Sequence, residues 1–189
     1  LGIESGLDDV LKFMKKDHDL AQAYQAIDRL HEAGLIYDAH IMTGVAGKGR
    51  GMENAEALAQ FLNRTNPAHV VNFSMFLHKE VPLYQDIRQG TFVPADELET
   101  IREEYHLIER IAPEKAGANI LYDGFHDFIH VRVRGHLPGD KEKMLAKLNG
   151  IIQEYEGKEP VYSFVQGECP DLEYCDDGKA VWDMDRKTS

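Results

Sequence analysis

The stretch "LIYDAHIMTGVAGKGRGMENAEALAQFLNRTNPAHVVNFSMF" (residues 35–76) holds a strand, a glycine-rich turn, a helix and a second strand in succession. Its first part is rich in β-formers and ends at the turn "GVAGKGRG". In a strand ending at Thr43, alternation places Asp38, His40 and Met42 on one face and Tyr37, Ala39 and Ile41 on the other. The segment "MENAEALAQFLNRTN" spaces Ala55, Leu58, Ala59 and Leu62 at helical intervals. Pro67 then breaks it, and "HVVNFSMF" (His69 to Phe76) reads as the next strand. A strand that returns through a helix to another strand must lie parallel to it.

The pattern extends in both directions. Upstream, "LGIESG" (Leu1 to Gly6) reads as a strand end turning into a helix over Asp8 to Lys16, with Ser5 and Asp8 as a capping pair. A second helix, about Leu20 to Ala33, has Leu20, Ala23, Tyr24, Ile27 and Leu30 on one face and stops at Gly34. Downstream, a loop through Pro82 and Gly90 precedes a helix from about Ala95 to Ala112, with Leu98, Ile101, Tyr105 and Ile108 in its stripe. Residues 113–118 read as a boundary. Residues 113–157 then form a strand–turn–helix extension, its helix burying Met144, Leu145, Leu148, Ile151, Ile152 and Tyr155. Residues 158–189 read as an acidic surface tail. Three strands before the boundary are few for a parallel sheet, so residues 1–112 are expected to be part of a larger sheet or barrel.

Composition narrows the function. The chain has 189 residues, 43% of them hydrophobic, and a formal net charge of −12. That charge argues against a nucleic-acid or anionic-membrane partner, because the phosphate term would be repulsive. The apolar runs are too short to span a bilayer. Cys169 and Cys175 stand six residues apart, matching no common zinc or iron–sulfur spacing, and read as reduced, non-ligand thiols of a cytoplasmic protein.

In parallel α/β folds, ligands gather at the C-terminal ends of the strands. That rule selects "ESG", "HIMTGVAGKG" and "SMFLHKE". Glu4 is suited either to an ammonium or ribose hydroxyls, or to the positive end of a helix. His40 could bond a ribose hydroxyl, with the bare backbone at Gly44 and Gly47 approaching an adenine edge. It could equally be a structural histidine beside a turn that needs glycine. The turn lacks the spacing of a phosphate-binding P-loop. His126, His130 and His136 cluster, but a strand over Phe128 to Arg134 would set Arg132 and Arg134 beside His130. Two cations there disfavour a metal and suit an anion or ion-pair network. No metal ligand and no catalytic residue is assigned.

Taken together, "LGIESGLDDVLKFMKKDHDLAQAYQAIDRLHEAGL", the strand with its glycine-rich end, "VPLYQDIRQGTF" and "LPGDKEKMLAKL" resemble the radical S-adenosylmethionine enzymes. The resemblance covers about residues 1–150 and is strongest to the coproporphyrinogen III oxidase-like and Elongator-like branch. It implies an α/β fold: the C-terminal half of a partial (βα)6, TIM-like barrel, followed by a small α+β extension. It implies two cofactors, S-adenosylmethionine and a 4Fe–4S cluster held by a C-x3-C-x2-C motif. Reductive cleavage of the former would yield a 5′-deoxyadenosyl radical that abstracts hydrogen from a substrate the sequence does not identify. Carried over, Glu4 and Ser5 would border the cofactor, and Lys16 would pair with its methionine carboxylate where relatives often have arginine. His40 stands at a ribose-binding position, and Met42 and Gly44 match the adenine-contacting strand end. The cysteine motif and the Gly-Gly-Glu-like segment are not in this sequence. The resemblance therefore implies a partner in the preceding half of the barrel, and inactivity for this portion alone. Two other readings stay open: an aldolase- or isomerase-type barrel using His40, Glu4 and Lys48 in acid–base work, and a non-catalytic acidic interaction module built on residues 113–189.

Overall fold

The computed structural model describes residues 1–164, together with the backbone of the two-residue strands Cys175–Asp176 and Lys179–Ala180. The thiols of Cys169 and Cys175, and the tail from residue 165 onward, lie outside the described residues.

Five strands form one sheet: β1 (Gly2–Glu4), β2 (Asp38–Thr43), β3 (His69–Ser74), β4 (Ile120–His126) and β5 (Val131–Leu137). Their spatial order is their sequence order. The first four pair in parallel, and β5 turns back antiparallel on β4. The helices are α1 (Asp8–Phe13), α2 (Leu20–Glu32), α3 (Gly51–Thr65), α4 (Leu83–Gln89), α5 (Glu97–Arg110) and α6 (Lys141–Tyr155). A sheet that never reverses its winding puts every crossover on the same side, as in a barrel and unlike a doubly wound fold. Ile27, Leu58, Leu62, Ile101, Leu107, Met144 and Leu148 accordingly join Ala39, Ile41, Val70, Tyr122 and Val133 in one buried cluster. Each of these aliphatic side chains contributes about 1.5–3 kcal/mol by leaving water. The opposite face stays open, with Asp38, His40, Phe73, Arg132 and Arg134 exposed. The result is a mixed α/β fold with a mostly parallel five-stranded sheet, consistent with a partial α/β barrel.

Several local expectations change. The sheet resumes beyond the turn at residues 113–118, where β4 pairs with β3 along Leu121 to Phe125. Residues 83–89, expected as loop, are helical: Pro82 stands at the N-cap and Gly90 at the left-handed C-cap. Proline and glycine are the punctuation of a loop, and they are also the two ends of a short helix. Strand β5 starts at Val131, and His130 sits in a left-handed turn before it. Arg132 and Arg134 share a face as expected, with His136 rather than His130 as their neighbour.

Helix α1 stops three residues short of the expected end. Lys15 is left-handed (φ 56°), and the amides of Lys15 and Lys16 bond back to the carbonyls of Lys12 and Leu11. That is a Schellman closure with lysine where glycine is usual. Ser5 does not cap the helix. Its hydroxyl accepts from the Leu7 amide and donates to Asn54.

A smaller apolar cluster lies at the C-terminal edge of the sheet, built from Val10, Val45, Met75, Leu77, Ile87, Phe92 and Phe164. The chain returns to this edge after α6: Leu77 donates to the Ser163 carbonyl and Glu97 to that of Val161. Ser163 and Phe164 are buried there. No helix among the described residues is long and apolar enough to cross a membrane.

Candidate functional site at the strand tips

At the tip of β1, Glu4 adopts a left-handed conformation (φ 61°), and the Ser5 amide bonds to the Ile3 carbonyl across it. An L-residue with a side chain pays roughly 1–2 kcal/mol for that region. The turn at Lys15 then swings Lys16 back, and its Nζ sits 2.8 Å from Glu4 Oε1. Two of the four left-handed non-glycine residues among those described, Glu4 and Lys15, thus build this one ion pair. It is only partly covered, with side-chain exposures of 36% for Lys16 and 19% for Glu4, so it contributes little to stability. One strand away, His40 and Met42 lie on the open face of β2, as alternation predicts.

Gly44 follows β2 with φ 82°, and a Cβ there would stand 2.8 Å from Thr100 Cγ2. Its amide is already engaged, donating to Glu103 Oε2 at 2.8 Å. The other oxygen of Glu103 accepts from Asn54 Nδ2 at 2.7 Å. Asn54 Oδ1 in turn accepts from the Ser5 hydroxyl and the Gly6 amide, at 2.7 and 3.2 Å. One buried strut therefore ties the tips of β1 and β2 together from beneath. Burial pushes the Glu103 carboxyl up to about 8, against the opposing pull of the Asn54 and Gly44 hydrogen bonds.

A second buried network braces β3 and β4. His126 Nδ1 lies 3.0 Å from Glu97 and Nε2 3.0 Å from Glu104. Glu104 also accepts from Tyr122 and Asn72, Glu97 accepts from Ser74, and Asn72 takes the Thr43 amide. With a carboxylate on each ring nitrogen, His126 is an imidazolium. Burial opposes that charge, but Glu104 and Glu97 outweigh it and raise the group to about 10. His126 is therefore a structural cation under α5, not a member of a histidine cluster. Among the described residues, no group of three or more His, Cys, Asp or Glu side chains is arranged to hold a metal ion.

The structure thus separates the six residues singled out in the sequence. Glu4 and Lys16 meet, His40 and Met42 stand on the neighbouring strand, and Ser5 and the Gly44 amide are committed to the strut. Lys48 lines a cleft of about 380 Å³ with Phe13, Arg50 and Phe92, a lining that includes none of Glu4, Lys16, His40 and Met42. The buried residues Asn54, Glu97, Glu103 and Glu104 are not among the sequence candidates, and His126 is there only as one of a histidine cluster. One signal was present: Glu97 and Glu104 stand seven apart, in phase with the buried Ile101 and Ile108.

No family model and no curated protein matches the chain. Among solved structures, it is similar to archaeal Methanocaldococcus infernus Elp3 with an N-terminal deletion (1–46), at 19% identity and a TM-score of 0.58. The match covers 82% of this chain and 35% of that one, so the chain spans about a third of the length of its structural relative. The likeness is one of fold.

Proposed function

We propose that this chain forms the C-terminal part of a radical S-adenosylmethionine barrel and supplies one wall of its cofactor site. The Glu4–Lys16 ion pair carries this reading. Its two left-handed backbone positions, Glu4 and Lys15, set at the C-terminal edge of a parallel sheet, support a site held for a ligand more than for stability. The fold likeness to archaeal Elp3 and the motif order in residues 1–150 support it.

The donor set fits the amino-acid end of S-adenosylmethionine. Lys16 would take its carboxylate and Glu4 its ammonium, exchanging one ion pair for two. His40 would face the ribose hydroxyls, with Met42 and the backbone of Gly44 beside the adenine. Ser5, Asn54 and Glu103 would hold the two tips at the required separation. The described residues do not fit a 4Fe–4S cluster, which needs thiolate ligands. In this reading those ligands belong to the preceding half of the barrel, outside this chain. Bound beside such a cluster, the cofactor would supply radical chemistry on a small-molecule substrate. The residues here bind and orient.

Titration calorimetry of the full-length protein with S-adenosylhomocysteine tests the reading. Binding is expected, weakened about tenfold or more by Lys16→Ala and by Glu4→Ala, the scale of one charge-assisted hydrogen bond. No binding, or binding indifferent to both substitutions, overturns it.

A further inference from the structure

The open face of the sheet carries a second constellation, away from the Glu4–Lys16 pair. Strand register sets Met42, Phe73, Phe125 and Arg132 in one row across β2 to β5, and His40, Val71, Asp123 and Arg134 in the row below. Phe73 and Phe125 stack with centroids 5.5 Å apart and planes 16° from parallel. Arg132 lies over the other side of this pair, 4.6 Å from the Phe125 centroid, and grips Asp123 with two hydrogen bonds of 2.8 and 2.6 Å. Arg134 reaches the same carboxylate only at 3.7 Å and remains 55% exposed. Hydrogen bonds from Arg132 hold Asp123 below the usual carboxylate range against the opposing effect of burial, with Arg134 and His69 adding to the attraction. Two guanidiniums on one carboxylate leave a positive charge uncompensated. In a chain of net charge −12, that is a local inversion of sign.

We infer that the open face binds an organic acid with a flat, unsaturated body, its anionic group on Arg134 and Arg132 and its ring over Phe73. Arginine's planar fork suits a carboxylate or a phosphate monoester, and the exposed side of the Phe73 ring suits a planar π-system. Phe73 is 38% exposed even though Phe125 stacks on it, so part of its ring surface remains open to a ligand. Asp123 already takes one edge of the Arg132 fork and fixes that side chain in place, so the anion would meet the more exposed Arg134 first, beside an immobilised second charge. Size follows from the register. Three strand spacings, about 14 Å in all, separate Arg132 and Arg134 from Met42 and His40. A ligand on the order of 10 Å long, anchored by its acid, presents its far end to β2. This deepens the proposed function by naming the substrate class, and the far end is where the cofactor would sit.

The probes are 1-naphthyl phosphate and 1-naphthoate, with neutral 1-naphthalenemethanol and inorganic phosphate as controls, measured by calorimetry on the full-length protein. At least one naphthyl anion is expected to bind, more tightly than either control. Arg134→Gln and Phe73→Ala should each weaken it roughly tenfold, while S-adenosylhomocysteine affinity stays within about twofold. Stronger binding of the phosphate or of the carboxylate identifies the anion. Circular dichroism establishes that each variant is folded, and Arg134→Lys separates the fork from bare charge. Absence of anion binding, or anion binding unchanged in Arg134→Gln, overturns the inference even if S-adenosylhomocysteine binds. Anion binding that depends on Arg134 in a protein that ignores S-adenosylhomocysteine sustains this site and overturns the cofactor reading alone.

Discussion

Glu103 reaches up from α5 to accept the backbone amide of Gly44 at 2.8 Å, so a buried helical carboxylate fixes the turn that ends β2. Replacement by leucine would orphan two buried donors, the Gly44 amide and Asn54 Nδ2. At about 1–3 kcal/mol each, Glu103→Leu is expected to cost roughly 2–6 kcal/mol, and Glu103→Gln, which keeps one acceptor, about half as much. Urea denaturation of the two variants checks the ranking. Equal costs would show that the strut is not held by these hydrogen bonds.

The same network sets a pH dependence. Glu103 is raised from 4.5 to about 8 and His126 from 6.5 to about 10. In both cases the folded state holds a proton that the unfolded state releases earlier, so stability falls as pH rises. The Glu103 contribution is present below pH 4.5 and lost through 8, and the His126 contribution is present below 6.5 and lost through 10. Melting temperature is therefore expected to decline from mildly acidic to alkaline pH. Glu103→Gln should flatten the lower window and His126→Gln the upper. Curves parallel to the parent across both windows would contradict the assignment.

The Glu4–Lys16 pair should separate binding from stability. Being partly exposed, it is worth less than about 1 kcal/mol, so Lys16→Ala is expected to leave the melting temperature nearly unchanged while S-adenosylhomocysteine affinity falls. Lys16→Arg should retain binding or improve it, since a fork holds a carboxylate with two bonds. A Lys16→Ala variant that unfolds readily would reassign the pair to structure.

Gly124 sits mid-strand in β4, where a Cβ would strike the carboxyl of Glu104 and stand 3.1 Å from Tyr122 Cε1. Gly124→Ala should cost on the order of 1–3 kcal/mol or more by overpacking. It should also displace the carboxylate that bonds His126, lowering that histidine's titration midpoint. NMR of the His126 ring reads this directly, and an unmoved midpoint would mean the network tolerates the intrusion.

Much of the fold could be read along the chain. Strand β2 ends at Thr43 as its alternation implies, α2 begins at Leu20 under the Asp19–Gln22 capping box, and the parallel order follows from strands separated by amphipathic helices. Helix α4 was hidden because Pro82 and Gly90 carry the same local signal whether they bound a loop or cap a short helix. The end of α1 was hidden for a related reason: a left-handed Lys15 has no mark in the sequence.

The sequence by itself determined the β–α alternation, the one-sided helical stripes and the strand-end positions Glu4, His40 and Met42, because these depend on periods of two and 3.6; Lys16 joined them only through the family resemblance. Only the tertiary structure decided which of those residues meet. It bent Lys16 onto Glu4 through two left-handed residues, and it took Ser5 and the Gly44 amide into a strut through Asn54 and Glu103. It also moved His126 from a histidine cluster into a buried ion triad. Each of these outcomes joins residues about 10 to 60 positions apart. The strut and the triad are set by the desolvation of polar groups that must find partners once the helices close over the sheet, whereas the Glu4–Lys16 pair is set by backbone conformation.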